Sequence, residues 1–380
     1  MLMYSDLKIA KLPPKLPERG ILTKAGVRGY PGLDDAQALL LEVLLHPPVD
    51  LGEKILDLTA QNGAVALYLP EHQVTLTERS RAALEVLERQ FADDPRVQVQ
   101  AALPLETTGE FDTVLAVLPA DKGNEAVREY LQAAFERTRK GGLCLIAGDK
   151  DKGFERYFKW FKAAFGEGEI LERHKGMRVA GFIKENSEAQ LEAAKTHQYT
   201  FEGLHITSLP GVFSASKIDE ASQLLLSHLP SPAGKRVLDI GAGAGVLGLK
   251  CAQLGANVTL LEEDLAAVRS IEKNAQQAHL NVQALHSDVG SALPVKPDPT
   301  KAEFDLVLMN PPFHVGSDVI LEVAEEFIRV AYQQVRHMGE VWVVANQFLP
   351  YEALMQRYGK VQLVVKNKSY KVLKGIRERI

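Results

Sequence analysis

Asn310-Pro311-Pro312-Phe313 is the stretch of this chain best suited to do chemistry. Its two prolines end an apolar run, Phe304-Asp-Leu-Val-Leu-Met309, because neither can donate to a sheet and both fix φ. The turn so made projects the Asn310 side chain and exposes the Pro311 carbonyl. An exocyclic amine or amide nitrogen is a poor nucleophile, since its lone pair is delocalised into the π-system. Two acceptors, the Asn310 amide oxygen and the Pro311 carbonyl, can grip its hydrogens and favour a tetrahedral nitrogen with a localised lone pair. Phe313 can stack on the flat ring that carries the nitrogen. Attack on a carbon held in line then rests on positioning and fixed dipoles, with no covalent intermediate. For the tetrapeptide alone, an ordinary Asn-Pro turn is the plainer reading.

The element that must face this turn is a glycine loop. Val237-Leu-Asp239-Ile-Gly241-Ala-Gly243-Ala-Gly245 reads as a buried strand running into a turn where the backbone can lie close to a ligand. Gly243-Ala-Gly245-Val-Leu-Gly248 fits the dinucleotide fingerprint GxGxxG, and Glu262 stands about 20 residues on, where a ribose-binding acid belongs. A nicotinamide or flavin enzyme is therefore a rival on the loop alone. Asp239 turns the pattern into DxGxGxG, that of methyltransferases that bind S-adenosylmethionine. A carboxylate beside the loop suits the cationic amino-acid end of that molecule better than it suits a phosphate. Glu262 ends the run Asn257-Val-Thr-Leu-Leu-Glu262 and can take both ribose hydroxyls. Asp288, closing the strand Val282–Leu285, is placed to accept from an adenine amino group; capping of the next turn explains it equally well.

The same plan occurs twice. Lys54-Ile-Leu-Asp57-Leu-Thr-Ala-Gln-Asn-Gly63 lies over Arg236–Gly245, Phe111–Pro119 over Phe304–Pro312, and His174–Val179 over Asn367–Val372. Gly26-Val27 and Asp34 also sit where Gly211-Val212 and Asp219 sit. Within each copy short apolar runs alternate with helical spacing; in the second, Leu265–Leu280 and Val319–Arg336 are the helical stretches. The expected fold class is α/β, two tandem doubly wound domains on mostly parallel sheets, which bind ligands at the carboxyl ends of their strands. The expected boundaries are 1–185, a polar linker or connecting helix at 186–199, and 200–380.

The second copy resembles class I S-adenosylmethionine-dependent amino-methyltransferases across its length. Asn310-Pro-Pro-Phe-His314-Val-Gly316, with Leu209-Pro-Gly-Val-Phe213-Ser214 upstream, resembles the bacterial ribosomal RNA guanine-N2 methyltransferases, themselves tandem Rossmann-like proteins with a degenerate first domain. The resemblance implies methyl transfer to guanine N2 in 16S RNA, leaving S-adenosylhomocysteine. It implies that Asp239, Gly241, Gly243, Gly245, Glu262 and Asp288 line the cofactor site and that Phe213-Ser214 closes over the methionine end. Asn310, Pro311, Pro312 and Phe313 would hold the guanine, Asn310 also bordering the cofactor; His314 is given no proton to carry. Large-subunit RNA, adenine N6 and protein glutamine remain alternative amines, and a non-catalytic RNA-binding assembly factor is the alternative of another class. The first copy departs where chemistry is done: Thr59 and Gln61 replace two glycines, and Val117-Leu-Pro-Ala120 replaces the tetrapeptide. It is expected to be inert and to serve packing or RNA positioning.

Composition narrows the partners. Lys and Arg number 44 against 49 Asp and Glu, so any contact with RNA must come from local basic patches. Candidate patches are Lys366–Arg379, Lys8–Arg28 and the cation-aromatic mixture Lys150–Trp160. Two cysteines, no CxxC and scattered histidines suggest neither a disulfide framework nor a metal site. No signal peptide or membrane-spanning run is evident at sequence level, so the expectation is a cytoplasmic protein without a membrane partner, for which a monomer suffices.

Overall fold

The computed structural model describes residues 4–213, 216–294, 303–311 and 317–378, with backbone only over 317–321. The chain divides into two compact units, Met1–Lys195 and Thr196–Ile380. Each is built on a seven-stranded sheet of the same order, 3-2-1-4-5-7-6 when its strands are numbered along the chain. In the second unit those strands are Arg236–Ile240, Asn257–Glu262, Val282–His286, Phe304–Met309, Val335–Asn346, Gly359–Lys366 and Tyr370–Arg377. The first five run parallel, and the seventh pairs antiparallel with both the fifth and the sixth.

Strands one and four read as continuous apolar runs because helices cover both of their faces. Val237, Leu238, Ile240 and Leu306 through Met309 are all fully buried. Chain order reverses between strands one and four, so the crevice for a ligand opens at their carboxyl ends. The glycine loop leaves strand one there, and Asn310 leaves strand four.

Helix starts follow local chemistry. Asp219 caps Glu220–Leu226 by accepting from Ala221 N (2.9 Å) and Ser222 N (3.0 Å), and Asp264 caps Leu265–Gln277 from Ala266 N. Gly245 precedes Val246–Gln253 at φ +89°, a conformation that costs glycine least.

The segment expected to link the domains is largely attached. Residues 186–195 contain no helix and belong to the first unit. Asn186 Nδ2 donates to Ala164 O (2.9 Å), Arg128 pairs with Glu192 (2.6 Å), and Lys195 N donates to Glu125 (2.6 Å). The second unit opens with a hairpin, His197–Phe201 against Leu204–Ser208, that starts inside the expected linker. Helix Ser317–Gln334 also stops short of Arg336, because Val335 already pairs with Phe304 as the start of strand five.

Many candidate RNA-binding cations are committed to the fold. Lys24 is buried against Glu85, Lys15 pairs with Glu42, Arg28 with Asp34, and Lys8 bonds the Tyr30 hydroxyl. In the last strand Lys371 holds Glu352, Lys374 holds Glu340 and Arg377 donates to Val335 O (2.6 Å). Arg379 lies outside the described residues.

Candidate active site

Asn310 comes directly off strand four. Its Nδ2 donates to Asp219 Oδ2 (2.9 Å) and to Ser222 Oγ (3.0 Å). A carboxylate only accepts, so the amide nitrogen must face Asp219. Both amide hydrogens are thereby used, and Oδ1 is left as the acceptor that the chemistry requires. Pro311 is buried, and no described backbone N–H donates to its carbonyl. Asp219 and Ser222 were not singled out for this role from sequence. The available signal was the recurrence of Asp219 at Asp34 in the first copy.

The glycine loop is held from strand two. Gly241 N and Ala242 N donate to Leu261 O at 2.9 and 3.1 Å, and Gly243 N to Glu262 Oε2 at 2.7 Å. Gly243 sits at φ +56°, and a Cβ built on it would meet nothing within 4 Å. The loop therefore presents an open backbone face there, as close approach of a ligand requires.

Glu262 is engaged more heavily than its sequence position suggests. Besides Gly243, its Oε1 accepts from Glu263 N (2.9 Å) and Asp264 N (3.1 Å). Of about four lone-pair directions on a carboxylate, one remains, on Oε2. As arranged, Glu262 keeps a spare acceptor direction on Oε2 that can meet a ribose hydroxyl. Burial raises its pKa, opposed by the three N–H donors.

Asp239 is wholly buried. Oδ2 accepts from Gly248 N (2.9 Å), tying the following helix to strand one, while Oδ1 has no partner among the described residues. Desolvation, with a smaller contribution from Glu262, pushes its pKa up to about 7. Asp288 is buried just beyond strand three and its N–H donates to Ser291 Oγ (3.1 Å). The next residue, Val289, has φ +48°, a strained conformation for a β-branched side chain. Phe213 is 61% exposed. Ser214, Pro312, Phe313 and His314 lie outside the described residues.

The first unit keeps this frame and fills it. Gln61 N donates to Glu78 Oε2 (2.8 Å), and Arg79 N and Ser80 N to Glu78 Oε1 (2.8 and 2.9 Å), repeating the Glu262 bonds one for one. Gln61 even adopts φ +53°. Its side chain is only 4% exposed, at the position corresponding to Gly243. Thr59, corresponding to Gly241, donates through Oγ1 to Asp57 Oδ1 (3.5 Å), and the same Oγ1 accepts from Val117 N (2.7 Å), at the place of Asn310. Asp34 still caps its helix, but its outward partner is the Arg28 guanidinium (2.8 Å).

Comparison with known proteins points to one family. The family model described as methyltransferase small domain matches residues 18–181 and again 203–374. Ribosomal RNA small subunit methyltransferase C of Haemophilus influenzae is 37% identical over 286 residues, covering 74% of this chain and 84% of that protein. Its namesake from Pasteurella multocida is 32% identical over 279 residues, covering 72% and 83%. Among solved structures, the T. thermophilus 16S rRNA N2 G1207 methyltransferase in complex with AdoMet and guanosine superposes with a TM-score of 0.86. That protein is 39% identical, and the match covers 99% of both chains. With both halves matched and the relatives spanned over most of their length, this chain belongs to the methyltransferase small domain family.

Proposed function

We propose that this chain is an S-adenosylmethionine-dependent methyltransferase that modifies the exocyclic N2 amine of a guanine in 16S ribosomal RNA. The observation that carries the reading is Asn310, whose amide is oriented by Asp219 and Ser222 so that an oxygen faces outward. Such an acceptor grips an amine hydrogen, and the Pro311 carbonyl can grip the other. The relatives named for small-subunit RNA, and the neighbour solved with AdoMet and guanosine, support the same substrate and cofactor.

S-adenosylmethionine, when bound, supplies a methyl group on a positively charged sulfur. The residues present fit it: the open face at Gly243, the spare acceptor on Glu262 Oε2 and the buried Asp288 at the end of strand three. Asn310 and Pro311 hold the amine hydrogens as acceptors, so nitrogen attacks with its lone pair localised, and positioning with fixed dipoles supplies the rate. A paired guanine hides N2, so the target base is unpaired or turned out of its helix. A ribosomal RNA substrate, taken as a small subunit or an assembly intermediate, supports a cytoplasmic enzyme.

The test is methyl transfer from labelled cofactor to unmodified small- and large-subunit RNA, naked and assembled, with nucleoside analysis. N2-methylguanosine in small-subunit RNA is expected. Label confined to large-subunit RNA would move the substrate, and a methylated adenine would overturn the guanine reading.

A further inference from the structure

Phe348 is the most exposed large hydrophobic side chain among the described residues, at 80%. It stands two residues beyond strand five, which pairs with the strand that carries Asn310. The ring is held out by a built turn. Leu349 N donates to Asn346 O (3.2 Å), Gln347 N to Ser369 O (3.1 Å), and the buried Lys371 ammonium to Leu349 O (2.7 Å). Leu349 and Tyr351, on either side of Pro350, are buried.

The Gln347 bond ties this turn to the tip of the hairpin between strands six and seven, Lys366-Asn367-Lys368-Ser369. Asn367 Oδ1 closes the tip by accepting from Ser369 N (2.9 Å) and Tyr370 N (2.8 Å). Lys366 and Lys368 are exposed and make no ion pair among the described residues, unlike Lys371 and Lys374 in the next strand. Tyr370, at the foot of the tip, packs against the apolar cluster that holds Ala221 and Leu225, on the helix that Asp219 caps. The patch thus lies beside the helix whose cap orients Asn310.

The first unit supplies an internal control. There Lys150 N donates to Gly176 O (3.0 Å), the counterpart of the Gln347–Ser369 bond. The register of each fifth strand with its seventh, Asp149 with Met177 and Asn346 with Tyr370, puts Asp151 where Phe348 stands. The anchoring bond recurs in both copies, in the first within a short 3-10 helix, Lys150–Lys152; the exposed aromatic accompanies the copy that has Asn310.

We propose that Phe348 stacks on a nucleobase neighbouring the target guanine while Lys366 and Lys368 take the adjoining phosphates, forming a clamp for single-stranded RNA. An aromatic face binds any base, and two free cations meet two phosphates, which suits positioning rather than sequence readout. The inference rests on the RNA reading above, and the experiment separates the two.

Methyl transfer to unmodified 16S transcript and to unmodified small subunits is measured for wild type, Phe348→Ala, Phe348→Trp and the double variant Lys366→Ala/Lys368→Ala. The expected result for Phe348→Ala is a KM for RNA raised about 10-fold, with kcat within about 2-fold and the melting shift on S-adenosylhomocysteine unchanged. Phe348→Trp restores the KM, and the double variant reduces the salt slope of RNA binding by about 1.4. Phe348→Ala with wild-type KM on naked transcript overturns the clamp, including the case where only assembled subunits are affected and the face takes a protein. Wild type that binds cofactor but methylates no RNA removes the RNA reading and the clamp together.

Discussion

The Asn310 amide cannot turn over, because Asp219 accepts from its nitrogen; on the proposed reading this keeps its oxygen as the acceptor for the amine. Asp219→Asn isolates that function, since asparagine caps helices as well as aspartate does. An amide at 219 accepts either end of Asn310, so the turned-over arrangement becomes populated. We expect kcat to fall on the order of 10-fold to 100-fold with the melting temperature nearly unchanged. Steady-state kinetics beside thermal melting checks this, and an unaltered kcat would remove Asp219 from the site. Asp239 carries a different prediction. Its folded pKa, about 7, lies above the ordinary carboxylate value because burial disfavours the charge. The folded state therefore holds the proton more tightly than the unfolded chain between about pH 4 and pH 7. Stability is fully present below that window and is lost as pH rises through it. Asp239→Asn keeps an acceptor for Gly248 N–H and carries no charge, so it should stabilise the protein at pH 8 by a few kcal/mol. The gain should shrink toward pH 5, as denaturant melts at the two values would read. Asp57, also raised to about 7 by burial, leaves a residual slope in the variant. Sequence pattern located Asn310 and Asp239 but not these conditions, because hydrogen-bond orientation and desolvation come from residues distant in the chain.

At the scale of elements, the loop after strand one separates conformation from binding. Both copies fold it around a strand-two glutamate with the same three backbone bonds, although one has Gly243 and the other Gln61. The glutamate is therefore a scaffold first, and the missing Cβ at Gly243 leaves the open face. Gly243→Gln should fold, at a cost of about 1–2 kcal/mol for the left-handed conformation. It should also lose the melting shift on S-adenosylhomocysteine, and a retained shift would show that the loop face is not used. The loop, the strand before Asn310 and the proline stop were legible because local chemistry dictates each. The end of helix Ser317–Gln334 was not, because Val335 satisfies helical spacing and strand pairing alike, and only the partner Phe304 decides between them. The bonds from Glu263 N and Asp264 N to Glu262 were not legible, because a sequence does not reveal which backbone N–H groups curl back onto a strand-end carboxylate.

Across the whole molecule, one fold carries one working turn and one filled copy. The repeat was evident from four motif pairs in the same order, and the shared strand order follows from it. The boundary was less legible: residues 186–195 look like a polar linker yet fasten to the first unit through Asn186, Glu192 and Lys195. Charge was the other misleading signal: among the described residues Lys15, Lys24, Arg28, Lys371 and Lys374 of the two terminal patches are tied to carboxylates and Arg377 to a carbonyl, whereas Lys366 and Lys368 make no ion pair. Amine chemistry is expected of the second copy alone. The most direct measurement is the methyl-transfer rate to small-subunit RNA at saturating cofactor for Asn310→Ala and Gln61→Ala beside wild type. Asn310→Ala should lose about 100-fold or more while Gln61→Ala stays near the wild-type rate. Loss in Gln61→Ala as deep as in Asn310→Ala, or a wild-type rate in Asn310→Ala, would contradict the account.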